Sequence, residues 1–144
     1  MENAEYFMRI AIEEAKNSSE SLPCGAVIVD ELGKVIAKAG NSARKIHDAS
    51  AHAEINALRQ AGSKIKNKEL RGSTIYCTCE PCVMCLSAIA YAKIKKIVYG
   101  LTLQDVSSKE KIIDITLEEF LQASPYKIEI TKNFLEKECQ QLLR

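Results

Sequence analysis

Apolar side chains recur at helical spacing near the start of the chain: Ala4, Phe7, Met8, Ala11, Ile12 and Ala15. That stripe predicts an amphipathic helix over residues 3–16. A polar loop follows at 17–21. Two short apolar runs, 25–30 and 35–39, read as strands, and 31–34 between them reads as a hairpin turn in which Gly33 is free to take positive φ. Residues 40–50 are polar and irregular. A second helix is expected from about His52 to Ala61, ending at Gly62. The third strand is 74–78. Pro81 suits the first position of a helix that continues through Ala92. The fourth strand is 96–100. Thr116-Leu117-Glu118-Glu119 has capping-box spacing and predicts a short helix to about Gln122. Residues 127–131 form the fifth strand. Asn133-Phe134-Leu135-Glu136 opens a last helix on the same capping logic, carrying Phe134, Leu135, Leu142 and Leu143.

Strands and helices alternate along most of this order. The expectation is therefore an α/β fold, a three-layer α/β/α sandwich with a central sheet. Length and the absence of a linker or repeat suggest one domain over residues 1–144. With 47% apolar and 27% charged residues the chain has material for a core. A net charge of +1 gives no global pull toward nucleic acid or membrane, although a local basic patch stays open. No signal peptide and no membrane span are read, so a cytoplasmic location is expected, where thiols are reduced. The six cysteines are then read as metal ligands and packing residues before disulfides.

The chemistry concentrates in two short segments, His52-Ala53-Glu54 and Pro81-Cys82-Val83-Met84-Cys85. They supply one imidazole, two thiolates three residues apart and a carboxylate. Three protein ligands leave a fourth tetrahedral position open, the pattern of a catalytic zinc. Both segments fall at expected helix starts, whose free N–H groups and dipoles favour thiolates. Glu54 can then carry protons for a water held in the open position. Three plainer readings compete. Cys82 and Cys85 could be a redox pair. Cys79 could complete a purely structural zinc, although Cys77 and Cys79 are expected on one strand face. Glu54 could be a solvated helix residue. His47 is left out of the metal set. Cys24 and Cys139 read as packing residues, Tyr91 and Tyr99 as core or interface aromatics, and Lys93, Lys95 and Lys96 as a solvated basic face.

The His-x-Glu and Pro-Cys-x-x-Cys spacing is a zinc deaminase signature. Together with Leu22-Pro23-Cys24-Gly25-Ala26-Val27-Ile28-Val29, Gly40-Asn41 and Cys79-Glu80-Pro81-Cys82-Val83-Met84-Cys85-Leu86, it resembles the cytidine deaminase-like superfamily over roughly residues 4–101. The resemblance implies a five-stranded mixed sheet and one zinc per chain on His52, Cys82 and Cys85. It implies Glu54 as proton carrier, Asn41 and Ala53 as substrate contacts, and a homodimer. The expected substrate is a free nucleobase or small nucleoside, with guanine favoured and cytosine next. Met84-Cys85-Leu86 with Ala88-Ile89, the acidic stretch 117–120 and the small net charge support that choice. A tRNA adenosine deaminase is the second reading, on His47-Asp48 and the cysteine segment. A zinc-stabilised binding domain without turnover is the third, and an intact Glu54 speaks against it. The residues that choose the ring are expected in 100–126 and the C-terminal tail.

Overall fold

The computed structural model describes residues 3–106 and 113–143. Met1, Glu2, Arg144 and Ser107-Ser108, the end of the segment read after Gly100, lie outside them. Along the chain run α1 (Ala4–Lys16), β1 (Gly25–Val29), β2 (Val35–Gly40), α2 (Ala53–Ile65), β3 (Thr74–Cys79), α3 (Val83–Tyr91) and β4 (Lys96–Leu101). After these come α4 (Leu103–Val106), α5 (Leu117–Ala123), β5 (Glu129–Thr131), α6 (Glu136–Gln140) and a closing 3-10 turn at Gln141–Leu143.

The strands form one five-stranded sheet in the order β2-β1-β3-β4-β5. β1 lies antiparallel to β2 and β3, while β3, β4 and β5 are parallel, so the sheet is mixed. The β1–β2 hairpin closes as its residues dictate. Gly33 has φ 84°, and the Asp30 carboxylate accepts from the Leu32 and Lys34 N–H groups.

Each face of the sheet carries its own core. On one side Met8, Ala11 and Ala15 of α1, with Cys139 and Leu142, pack against Val27, Val29 and Val98. On the other, Ala53, Ala57 and Ala61 of α2 and Leu86 and Ile89 of α3 pack against Ala26, Ile28, Ile75 and Ile97. This is the three-layer sandwich expected from the sequence. The approach of α1 is close enough that a Cβ on Gly25 would collide with the Ala11 carbonyl oxygen. Glycine is required there for space.

Several local expectations are corrected. α2 does not stop at Gly62. It runs to Ile65 and ends where Lys66 turns left-handed at φ 56°. The Asn67 N–H then returns to the Gly62 carbonyl at 3.1 Å, a Schellman-type closure, and a Cβ at 62 would meet the Asn67 oxygen at 3.3 Å. Pro81 is one residue before the cap of α3, not its first helical residue. Thr116 makes the expected capping box with Glu119. Asn133 makes no such cap: it is left-handed at φ 54°, and α6 starts only after Leu135, also left-handed at φ 50°. Cys77 and Cys79 do not share a face, since Cys77 packs with the α2 side and Cys79 with the α1 side. α4 was not read from the sequence, and its four residues are too few to show a period.

Candidate active site

The two halves of the motif meet because each sits at the N-cap of a helix on the same side of the sheet. His52 caps α2 with φ −71° and ψ 160°, and Cys82 caps α3 with φ −72° and ψ 173°. An extended cap leaves the side chain near the helix mouth instead of along its wall. The His52 Nδ1 lies 3.7 Å from the Cys82 Sγ and 3.6 Å from the Cys85 Sγ. All three ligand atoms fall within 4.8 Å of one another. A tetrahedral ion bound at about 2.3 Å to sulfur and about 2.0 Å to nitrogen separates such ligands by about 3.5–3.8 Å. The spacing and the one-nitrogen, two-sulfur donor set therefore fit zinc.

The electrostatics agree. A hydrogen bond from the Cys85 thiol, with help from His52, holds the Cys82 thiol well below its ordinary range. The same bond and burial push Cys85 up. Interaction with Cys82 raises His52. The pair shares one negative charge, and a cation drawn into it would displace the remaining thiol proton and the imidazole proton together.

Glu54 occupies the second position of α2 and is 6% exposed. Burial pushes its carboxyl up to about 7. A nearby cation lowers the pKa of such a group. Ala53, at the first position, is fully buried.

Asn41 follows β2 in a clamp. Its Oδ1 accepts from the Ser18 Oγ at 2.6 Å and the Cys24 N–H at 3.0 Å, and its Nδ2 donates to the Leu22 carbonyl at 2.8 Å. A side-chain amide carries two N–H hydrogens, and the Leu22 contact uses one of them. Sequence reasoning missed the residues that build this clamp. Ser18 looked like one polar loop residue among several. Asn56 was missed too. Its amide donates to the Gly40 carbonyl at 2.9 Å and the Ser42 hydroxyl at 3.0 Å, pinning the 40–51 loop to α2. The available signal was a polar residue between Ala53 and Ala57 on a helix face otherwise half-buried or apolar. His47 is exposed at φ 57° and stays outside the metal set. Cys79 is no fourth ligand: its sulfur lies against Cys24 at 3.0 Å.

Residues 1–101 match the model of the cytidine and deoxycytidylate deaminase zinc-binding region. The chain belongs to that family. It is a zinc-dependent hydrolytic deaminase acting on nucleobase- or nucleoside-type amidine groups, which removes the redox-pair and non-catalytic readings. A tRNA-specific adenosine deaminase of Buchnera aphidicola subsp. Schizaphis graminum is 36% identical over 140 residues, covering 96% of this chain and 89% of that protein. A solved structure from a study of A-to-I editing by tRNA:A34 deaminases at the wobble position of transfer RNA aligns with TM-score 0.82 at 33% identity, covering 96% of this chain and 99% of that one. Guanine deaminase from Bacillus subtilis aligns with TM-score 0.66 at 30% identity, covering 83% and 89%.

These relatives overturn the free-base reading with guanine favoured. Further proteins 30–42% identical to this chain are also named tRNA-specific adenosine deaminases. The structure shows why the sequence cues misled. Of the residues in that cue, Leu86 and Ile89 are buried on the core side of α3 and Cys85 belongs to the metal-ligand cluster, so these three report packing and metal binding and not ring choice. In the acidic stretch, Glu118 pairs with Lys132 at 3.2 Å and Glu119 completes the α5 capping box. Net charge is a sum over the whole surface and is silent about the rim of one site. The small-molecule partner expected from the sequence is likewise unsupported. Among the described residues no helix is long and apolar enough to cross a membrane.

Proposed function

We propose that this protein is a tRNA-specific adenosine deaminase, converting adenosine to inosine in an anticodon loop. The observation that carries the reading is the match to proteins of that name along nearly the whole chain, 96% of it in one case. His52, Cys82 and Cys85 would hold the zinc. When bound, it would supply Lewis-acid chemistry for the hydrolysis. Glu54 would take a proton from the attacking water. It delivers protons to N1 of the adenine ring and to the departing exocyclic nitrogen, so that ammonia leaves and a carbonyl remains at C6. Burial keeps the Glu54 carboxyl away from competing bulk water. Asn41, locked by Ser18 and Cys24, offers its spare Nδ2 hydrogen to the base. Ala53 contributes a small wall and a first-turn N–H that an α-helix leaves without an internal partner.

The loop between Asn41 and His52 supports an RNA substrate. It presents Arg44 and Lys45 on its exposed surface, and phosphate binding relies on such cations. We extend the proposal to a homodimer. α3 is apolar on nearly every side, yet only Cys85, Leu86 and Ile89 are buried, and Tyr91 at its end is 83% exposed. Helices apolar all round are normally covered.

The test is a substrate panel on wild type and Glu54→Ala: an anticodon stem-loop RNA, adenine, adenosine, guanine and cytosine. Inosine should form in the RNA and fall by about 10²–10⁴-fold in Glu54→Ala. Metal analysis should show zinc retained in that variant and lost in Cys82→Ala. Ammonia from guanine with the RNA untouched would sink the substrate, and equal rates in both proteins would sink Glu54.

A further inference from the structure

Two thiols outside the metal set face each other across β1 and β3. The β1–β3 register ends at Ala26 opposite Cys77, and Cys24 and Cys79 lie just beyond that end. Their sulfurs are 3.0 Å apart, and both thiols are free. A disulfide would close that contact to about 2.05 Å. Cys24 is half-buried and Cys79 is buried.

The pair also links the two halves of the site. Cys24 holds Asn41 through its backbone twice, donating to Oδ1 at 3.0 Å and accepting from the Asn41 N–H at 3.1 Å. Cys79 ends β3 three residues before Cys82. A covalent link here would join the Asn41 clamp to the strand that delivers the metal cysteines.

We propose that Cys24 and Cys79 form a redox-active dithiol that a small two-electron oxidant, a peroxide, converts to a disulfide. Peroxide first oxidises the half-buried Cys24 thiol to a sulfenic acid and releases one water. The Cys79 sulfur then displaces the second water as the S–S bond forms and its S–H proton leaves. Two thiols lose two electrons and two protons, and the peroxide is reduced to two waters. Contact with Cys79 and burial push the Cys24 thiol up, so the thiolate that reacts with peroxide is scarce and the oxidation is slow at neutral pH.

The zinc-loaded protein is treated with hydrogen peroxide, alkylated and digested. The expected product is a cross-linked peptide pair bearing Cys24 and Cys79, two hydrogens lighter than the reduced peptides, with zinc still bound. The melting temperature should rise by about 5 °C and return after a dithiol reductant. Cys24→Ser and Cys79→Ser should each show neither cross-link nor shift. If Cys24 and Cys79 remain alkylatable while Cys82 and Cys85 pair and zinc is released, the proposal fails. It fails equally if the cross-link forms without any change in melting temperature. Neither result depends on which base is deaminated.

Discussion

Glu54 carries a functional group that the fold alone would not favour. A carboxylate at 6% exposure is expensive to bury, and its raised pKa expresses that cost. The zinc-binding donors of His52, Cys82 and Cys85 give the charge a reason to be there. These four residues were legible in the sequence because their side-chain types and short spacing hold the chemistry. Asn41 entered only through the resemblance and its contact with substrate is proposed, while the Ser18 bond to it was not legible at all. A serine 23 positions away from Asn41 has no pattern to announce it. Replacing it tests the clamp. Ser18→Ala removes a donor to Asn41 Oδ1, and a net hydrogen bond of about 1 kcal/mol corresponds to roughly a fivefold change. KM for the RNA should rise by about that factor with kcat held. Unchanged KM would show that Asn41 is oriented without Ser18.

At the scale of elements, the hydrophobic periods placed α1, β1 to β4 and the α5 cap. They misplaced the ends of α2 and α6. At both, the residue turning left-handed is not glycine but Lys66 or Leu135, so the usual punctuation was missing and the local fit of the chain decided. The meeting of α1 with β1 makes the sharpest prediction. A Cβ at Gly25 strikes the Ala11 carbonyl, and backbone cannot rotate away as a side chain can. Gly25→Ala should lower stability by about 3 kcal/mol, read as a fall in the urea midpoint at constant slope. A midpoint within error of wild type would mean α1 shifts freely. For the 40–51 loop, Arg44→Ala with Lys45→Ala should weaken RNA binding and flatten its salt dependence by about 0.7 for each phosphate no longer neutralised. A slope identical to wild type would remove this loop from the RNA surface.

For the whole molecule, the decisive features are which faces are covered and which segments end together. The apolar flank of α3 predicts a dimer in sedimentation equilibrium, and Tyr91→Glu should shift it to monomer. A wild type monomeric at micromolar concentration would refute that use of the face. Periodicity, caps and reactive side chains declared the α/β class and the candidate zinc donors before any coordinates, because each motif half is a property of residues close in sequence, and the resemblance supplied the deamination chemistry. The Schellman end of α2, the Ser18–Asn41 lock and the contact of Cys24 with Cys79 join residues 5, 23 and 55 positions apart. The first depends on a left-handed turn with no glycine to signal it. The other two depend on how the sheet pairs and how helices settle on it, and no local pattern encodes that. The same limit explains the substrate. Leu86 and Ile89, part of the segment that resembled one deaminase helix, turned out to face the core, and the relatives overturned the choice of substrate.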